Sequence, residues 1–235
     1  SENSITVQNE DIELLPLQEQ ERWLVLLTDF ENQPATDTWG PSMAQTLLDD
    51  VARNYIYQMS GYSTEIQIDV NTRVTRAENP VEFYGKDTNG NRDMDEKGDF
   101  LPVNLAKEVV TDHINHADWD EYDLNEDGYV DRLLILHTTK GQEENPGQTN
   151  GIWSHFTTFD SAIDVDENVK VEHYTMASIR TGSSGVGTIL HEMMHQMGAL
   201  DLYPVHDSNI QNDWQGIGDW DIMASGNWNG GGVWP

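Results

Sequence analysis

Residues 188–203 read TILHEMMHQMGALDLY, and this stretch decides which kind of domain the chain forms. His191 and His195 are four positions apart, so on an α-helix both imidazoles lie on one face, one turn from each other. Two neutral imidazoles placed in this way can bind one zinc ion. Glu192 is offset around the helix, where its carboxylate can reach a zinc-bound water without binding the metal. The spacing therefore predicts a catalytic zinc site on a helix at residues 188–197.

The chemistry of such a site follows from the metal. Zinc lowers the pKa of a bound water toward neutrality and polarises a substrate carbonyl, while a neighbouring carboxylate takes the proton of the water. Glu192 is therefore the predicted general base, and hydrolysis by a metal-activated water is the predicted reaction. The alternative is an ordinary amphipathic helix whose polar side chains are satisfied without a metal.

A catalytic zinc site needs a third protein ligand, and the sequence offers several candidates after the helix. Gly198 allows a left-handed residue that ends the helix and reverses the chain, which would return Asp201 to the metal. We therefore predict Asp201 as the third ligand, with a fourth position open for water. The alternative role for Asp201 is to brace the reversal through backbone N–H groups. The other downstream candidates are His206, Asp207, Asp213, Asp219 and Asp221.

The composition is that of an acidic globular protein. The 235 residues carry 42 acidic and 12 basic side chains, which leaves 42 − 12 = 30 excess negative charges. A surface of this sign repels nucleic acid and anionic membranes, so we expect neither as a partner. No apolar run approaches the roughly 20 residues of a membrane-spanning helix. The charge fits a solvated coat suited to a salty habitat or cation binding at specific clusters, and the two are compatible.

Two further features bear on processing and location. The chain has no cysteine, which excludes disulfides and thiol chemistry and is compatible with export. No basic-then-apolar segment opens the chain, so we expect that Ser1 is not the biosynthetic start and that a signal peptide has been removed. Residues 1–20 are acidic and weakly patterned, and we interpret them as an N-terminal arm or the remnant of a processed propeptide. Residues 21–235 would then form the catalytic domain, secreted from the cell.

Hydrophobic periodicity predicts an α/β fold. Short continuous or alternating apolar runs predict strands, and apolar residues spaced by three and four predict helices. The predicted helices cover residues 41–59, 101–116 and 188–197, and the predicted strands cover residues 23–30, 65–75, 129–138, 152–157 and 169–179. We expect a mixed sheet with a backing helix and an active-site helix, followed by an irregular C-terminal lobe.

A cluster of oxygen ligands lies at residues 123–131, which read DLNEDGYVD. Gly128 supplies a sharp turn, and the pattern follows an EF-hand loop through its ninth position, although Leu134 replaces the usual Glu at the twelfth. The alternative is an acidic turn before a strand. The predicted calcium ligands are Asp123, Asn125, Asp127, the Tyr129 carbonyl and Asp131.

Other polar clusters give weaker signals. The oxygen-rich loop at residues 87–99 predicts either a further calcium site or a hairpin turn at Asn89-Gly90. For His113 and His116, three apart on a predicted helix, a solvated face is favoured over a metal site. The remaining single histidines are assigned structural roles: His137, His155, His173 and His206.

Two segments together resemble one known family. HEMMHQMGALDLY, followed by GDWDIMASGNWNGGG at residues 218–232, is similar to the immune inhibitor A family of secreted bacterial zinc metallopeptidases. Supporting similarity comes from VLLTDF, FYGKD at residues 83–87, DLNEDGYVD, and IWSHF at residues 152–156. The resemblance covers most of residues 22–232, and the helix and methionine segments are its specific part.

This resemblance implies a metzincin-like zincin domain, extracellular proteolysis, zinc and structural calcium. It also implies that Met223 lies in a turn beneath the zinc, whereas ordinary core packing is the alternative for that side chain. Two departures stand out: Asp201 replaces the third histidine of metzincins, and the chain stops at Pro235, soon after the methionine segment. We therefore expect a truncated or processed fragment.

These patterns predict a secreted zinc endopeptidase that acts on proteins or peptides. An extended substrate would pair with an edge strand of the sheet. One alternative is a calcium-stabilised binding or adhesion module with a structural zinc, although such a site would not need Glu192. Another is a zinc hydrolase acting on non-peptide bonds.

Overall fold

Five strands of the described chain form one mixed sheet, in the order β2-β1-β3-β5-β4. The computed structural model describes residues 12–145, 147–180, 185–203 and 216–231. The strands are β1 (Gln20–Asp29), β2 (Glu65–Arg76), β3 (Leu133–His137), β4 (His155–Asp164) and β5 (Lys170–Ser178). The α-helices are α1 (Pro41–Leu47), α2 (Arg53–Met59), α3 (Val81–Tyr84), α4 (Pro102–His113) and α5 (Val186–Gln196). Short 3-10 turns span Trp119–Tyr122, Gln142–Glu144, Gly218–Trp220 and Ser225–Gly231.

The apolar run predicted as a buried strand is the centre of this sheet. Strand β1 pairs in parallel with β2 and β3, β3 pairs in parallel with β5, and β4 runs antiparallel at the edge. Trp23, Val25 and Leu27 pack with α1, α2 and α5 on one face. Leu24 and Leu26 pack with α4 on the other. Both faces of β1 are therefore covered, which explains its continuous apolar sequence.

The predicted helices are confirmed, with changes at their ends. Helix α5 covers Val186–Gln196, and α4 covers Pro102–His113. The helix predicted at residues 41–59 is continuous but contains a π-helical turn, Leu48–Ala52, between α1 and α2. None of the described helices is long and apolar enough to cross a membrane.

The strand predicted at residues 152–157 is wrong in its bounds, because residues 152–154 precede the strand and β4 continues to Asp164. The second half of β4 is polar and largely exposed, as expected for an edge strand that pairs on one side only. Its sequence therefore lacks the apolar alternation from which a strand is predicted. The strand predicted at residues 129–138 is shorter than expected and covers Leu133–His137.

A buried ion pair ties the end of α5 to the sheet. The Arg132 guanidinium donates to both carboxylate oxygens of Glu21, at 2.6 and 3.0 Å, and both side chains are fully buried. Arg132 also donates to the Gln196 carbonyl at 3.1 Å, and the Gln196 side-chain amide bonds both backbone groups of Leu133. These contacts fix where α5 ends relative to β3.

Replacing Arg132 with alanine should therefore destabilise the fold strongly. The change leaves the Glu21 carboxylate buried without its partner, and breaking such a pair typically costs about 3–5 kcal/mol. The free energy of unfolding from a urea titration measures the loss. The matched control is Arg73→Ala, which removes an exposed pair with Asp112 and should have a much smaller effect. Equal losses in the two variants would contradict the prediction.

Candidate metal centre

Helix α5 presents the two predicted histidines away from the sheet. Its side chains Ile189, Leu190 and Met193 belong to the same core cluster as one face of β1 and β3. His191 and His195 lie one turn apart, with their rings at 4.9 Å between centroids, and both are buried. The helical spacing in the sequence therefore places both imidazoles together, as predicted.

The chain reverses directly after α5, as the glycine predicted. Gly198 has φ +85°, the Gly198 N–H donates to the His195 carbonyl, and the Ala199 N–H donates to the Met194 carbonyl. This is the hydrogen-bond pattern of a Schellman turn, which favours glycine at the left-handed position. The next residues then run back across the face of α5 that carries the histidines.

This reversal brings Asp201 to both imidazoles. Its Oδ1 atom lies 3.2 Å from His191 Nε2 and 3.4 Å from His195 Nε2. The other ring nitrogen of each histidine contacts a backbone carbonyl: His191 Nδ1 is 2.7 Å from the oxygen of Ile222, and His195 Nδ1 is 2.9 Å from that of Ala199. When each Nδ1–H donates to its carbonyl, each Nε2 atom keeps a lone pair that can bind a metal ion.

Asp201 Oδ1 lies from each Nε2 atom at the spacing of neighbouring zinc ligands. Zinc bonds of about 2.0–2.1 Å at tetrahedral angles separate neighbouring donors by about 3.3 Å. The distances from Asp201 Oδ1 to the two Nε2 atoms bracket this value. Asp201 Oδ1 is also buried without a well-formed hydrogen bond, as expected of an atom whose partner is a cation. Two imidazoles and a carboxylate therefore fit zinc in both chemistry and distance.

Glu192 lies beside this set and is itself buried. Ligand-type atoms of His191, Glu192 and His195 all lie within 4.8 Å of one another. The Phe156 backbone N–H lies near enough to the Glu192 carboxylate to lower its pKa slightly. Burial raises the pKa of Glu192, and the two imidazoles offset this only in part. The carboxylate is thus held close to the centre and shifted in the direction that favours accepting a proton.

The electrostatics of the centre favour a cation between the histidines and Asp201. Burial lowers the pKa of His191, but the adjacent Asp201 carboxylate and the Glu192 charge outweigh it and raise that pKa to about 9. The pKa of His195 is raised for the same reasons. Burial opposes ionisation of Asp201, yet the imidazoles hold its pKa well below the usual range. A proton or a metal ion can balance the negative charge that faces the two imidazoles. The two compete for the same imidazole nitrogens.

The methionine segment lies against the same centre. The Ile222 carbonyl holds His191, and the neighbouring Met223 is buried in the core cluster that contains α5. The Met223 carbonyl accepts the Leu202 N–H at 2.7 Å, next to Asp201 in sequence. Met223 thus sits in a turn that braces both the helix and the returning chain.

The alternative third ligands are placed differently. Asp221 Oδ1 accepts the Met223 N–H at 2.9 Å within that turn. Asp219 is exposed in the turn Gly218–Trp220. The remaining candidates, His206, Asp207 and Asp213, lie outside the described residues.

Comparison with known proteins identifies the family of this chain. The family model of the immune inhibitor A peptidase M6 catalytic domain matches residues 42–233. This chain belongs to that family. The M6 match covers the sheet partners of β1 as well as α5 and the methionine turn, and the mixed sheet with its helices is consistent with the predicted zincin-like fold.

Two named relatives of this M6 domain share about the same identity with it. Immune inhibitor A of Bacillus thuringiensis subsp. alesti is 29% identical over 160 residues, which are 58% of this chain and 23% of that protein. The pre-pro-metalloprotease PrtV of Vibrio cholerae serotype O1 is 29% identical over 187 residues, which are 68% of this chain and 20% of that protein. The chain therefore aligns with about a fifth of the length of these relatives.

The loop at residues 123–131 of the M6 domain is closed by hydrogen bonds from its own backbone to its acidic side chains. Gly128 has φ +91°, and its N–H and that of Asp127 donate to the two carboxylate oxygens of Asp123. Asp131 Oδ2 accepts the Leu124 N–H across the loop at 2.6 Å. Burial, with added repulsion from Asp127 and Asp123, raises the pKa of Asp131 to about 6. The loop therefore gathers acidic groups that repel one another.

A second oxygen cluster contains Gln142, which the sequence did not single out, together with Asp87 and Asp93. Asp87 accepts the Asp93 N–H through Oδ1 and the Gln142 side-chain N–H through Oδ2. Asp93 Oδ1 and Gln142 Oε1 are both buried without a hydrogen-bond partner. The hairpin alternative also holds, because Thr88 and Asn91 form an isolated antiparallel bridge. The loop at residues 87–99 thus combines a tight turn with unpaired buried oxygens.

Proposed function

We propose that this M6 domain is a secreted, zinc-dependent endopeptidase that hydrolyses peptide bonds in proteins. The observation that carries the proposal is the approach of Asp201 Oδ1 to both Nε2 atoms, at 3.2 and 3.4 Å, with the buried Glu192 beside them. His191, His195 and Asp201 would hold the zinc. The secreted location rests on the family resemblance and on the acidic, cysteine-free composition.

Each residue of the centre has a separate task in this proposal. Bound zinc would supply a water of lowered pKa and a Lewis acid for the substrate carbonyl. Glu192 takes the proton of that water and passes it to the leaving amine. The Phe156 N–H lies beside this carboxylate, and the carbonyls of Ile222 and Ala199 hold the imidazoles in the tautomer that leaves Nε2 free.

The substrate would bind along β4. This strand pairs with β5 on one side only, so its other edge offers N–H and C=O groups to an extended peptide. Phe156, near the start of β4, contacts both Glu192 and the ring of His195, with centroids 6.3 Å apart. A peptide paired with this edge would therefore pass beside the general base.

Cleavage of an internally quenched peptide, with and without a zinc chelator, tests the proposal. The zinc-loaded protein should cut at internal bonds identified by mass spectrometry, the chelator should stop it, and added zinc should restore it. A binding module with a structural zinc would bind metal without cutting. Absence of cleavage by a folded protein with one zinc per chain would reject the endopeptidase.

We also propose calcium at residues 123–131, with ligands from Asp123, Asn125, Asp127, the Tyr129 carbonyl and Asp131. The gathering of acidic groups in one loop and the mutual repulsion of their carboxylates support this choice, because calcium prefers six to eight oxygen ligands. We extend the proposal to the loop at residues 87–99, where the unpaired oxygens of Asp93 and Gln142 support it. Titration calorimetry on zinc-loaded protein would count the calcium ions bound.

Calcium should stabilise the protein more at pH 7.5 than at pH 5. The raised pKa of Asp131 means that, without calcium, its contribution to stability is complete below about pH 3.8 and is lost as the pH rises through about 6. Calcium replaces the proton above that pH, so the rise in melting temperature on adding calcium should grow with pH. Differential scanning calorimetry at both pH values measures it.

The variant Asp131→Asn provides the control, because an amide mimics the protonated carboxyl. Without calcium at pH 7.5 it should melt above the parent protein, and calcium should raise its melting temperature less. A parent protein whose response to calcium is equal at the two pH values would contradict the assignment.

A further inference from the structure

A second buried glutamate lies near the proposed base, in the turn Gln142–Glu144. Glu143 accepts two hydrogen bonds from one residue: Ser154 Oγ donates to its Oε1 at 2.6 Å, and the Ser154 backbone N–H donates to its Oε2 at 3.2 Å. Gly141 makes this arrangement fit, because a β-carbon there would collide with the Glu143 carboxylate. Glu143 thus anchors the residue that immediately precedes β4.

The geometry of strand β4 links the contact between Glu143 and Ser154 to the metal centre. In an antiparallel pair, alternate residues direct their N–H groups to the partner strand and to the open edge. Ser154 and Phe156 are two apart, so their N–H groups point to the same edge; that of Ser154 donates to Glu143, and that of Phe156 lies near Glu192. His155, between them, lies opposite Met176 of β5. Glu143 therefore holds the first open-edge N–H group, and the next one lies beside the metal centre.

The carboxylates of Glu143 and Glu192 are also close enough to interact electrostatically. Burial raises the pKa of Glu143 to about 7; its bonds from Ser154 counteract the rise, and the charge of Glu192 adds to it. Phe156 meanwhile packs its ring against His195. The segment at residues 154–156 is thus hydrogen-bonded to Glu143 at one end. At the other end it lies beside the proposed base Glu192 and the proposed ligand His195.

We infer that Glu143 is a positioning residue for Glu192. By fixing Ser154 it sets the place of Phe156, whose ring packs on His195 and whose N–H lies beside the Glu192 carboxylate. This inference rests on the proposed function of Glu192 as general base. Because β4 is bonded on one side only, loss of the anchor should let its first residues shift, and a shift of about 1 Å in a catalytic group can cost about 100-fold in rate.

The test compares four variants by kcat, KM, zinc content and melting temperature. Glu143→Ala removes the anchor. Gly141→Ala leaves the acid in place but pushes its carboxylate away from Ser154, and the backbone at residue 141 (φ −64°, ψ 145°) accepts an alanine. Glu143→Gln keeps an oxygen for the Ser154 N–H and an amide that can donate to Ser154 Oγ. Glu144→Ala removes the same charge from the exposed neighbour.

Glu143→Ala and Gly141→Ala should each lower kcat by about 10- to 100-fold, with KM within about threefold of the parent protein and one zinc per chain. Glu143→Gln and Glu144→Ala should stay within about threefold of the parent kcat. If Glu143 were only a structural anchor, Glu143→Ala and Gly141→Ala would have a lower melting temperature. Their kcat, measured well below that temperature, would equal that of the parent protein.

Full kcat in folded, zinc-loaded Glu143→Ala and Gly141→Ala overturns the inference. If Glu143→Ala does not fold, Gly141→Ala decides alone, since it retains the acid. A parent protein that shows no zinc-dependent cleavage overturns the proposed function and this inference with it, whereas an active parent with unaffected variants overturns this inference only.

Discussion

Replacing Glu192 with glutamine is expected to lower kcat by about 100- to 10,000-fold, while zinc stays bound at one ion per chain. Glutamine has the shape of the parent side chain, but its amide cannot take a proton from water. The imidazoles and Asp201 are unchanged, so the metal should remain. Peptide cleavage and zinc quantification on the same sample measure both parts.

The matched control is Glu172→Gln, which makes the same chemical change on β5, close to Asp127 in the loop at residues 123–131 rather than to α5. Its kcat should stay within about twofold of the parent value. Near-parent cleavage by a pure Glu192→Gln protein would show that another group accepts the proton. Loss of zinc from that variant would instead make Glu192 part of the ligand set.

The parts of the centre that could be predicted from the sequence follow from local geometry. A spacing of four on a helix places His191 and His195 on one face whatever the rest of the fold does. Gly198 predicts the reversal because a left-handed residue at a helix end strongly favours glycine. Asp201 comes three residues later, within the reach of that turn. Helix α5, its end and the direction of the next segment are thus local properties.

The parts that could not be predicted depend on contacts made by the backbone or by distant segments. The carbonyls of Ile222 and Ala199 orient the two imidazoles, and a carbonyl is present at every residue, so no side chain signals its role. The contact of Phe156 with Glu192 depends on how far β4 extends and on its register with β5. Both follow from tertiary pairing, for which the polar second half of β4 gives no periodic signal.

The segment at residues 141–145 is a further example of a structure that the local sequence does not predict. Its sequence, GQEEN, is polar, and acidic residues in polar loops are usually exposed. Gln142 and Glu143 are nevertheless buried, because the segment folds against residues 151–154. The one local sign is Gly141, which leaves room for the Glu143 carboxylate. Glycine is common in loops of every kind, so a single glycine does not predict a buried acid beside it.

Replacing Asp201 with alanine should weaken zinc binding by more than about 100-fold. Changing a residue that merely orients a ligand costs about 10- to 100-fold in metal affinity, and loss of a direct ligand should cost more. The variant leaves two imidazoles, which hold a divalent ion poorly, and removes the negative charge that faces both of them. Competition with a fluorescent zinc indicator at pH 7.5 gives the affinity, and a crystal structure of the zinc-loaded variant gives the ligands.

Asp219→Ala is the control, since it removes the same charge from an exposed residue near the methionine turn and should bind zinc as the parent does. Asp201→Asn separates charge from shape: an amide oxygen is a weaker zinc ligand than a carboxylate, so its affinity should fall between those of the parent and the alanine variant. The rival role for Asp201 is bracing the chain reversal, but Oδ1, the oxygen that faces both imidazoles, accepts no well-formed hydrogen bond. If Asp201→Ala binds zinc as tightly as the parent, with both imidazoles in place, Asp201 is not the third ligand, and residues 219–221 become the next place to look.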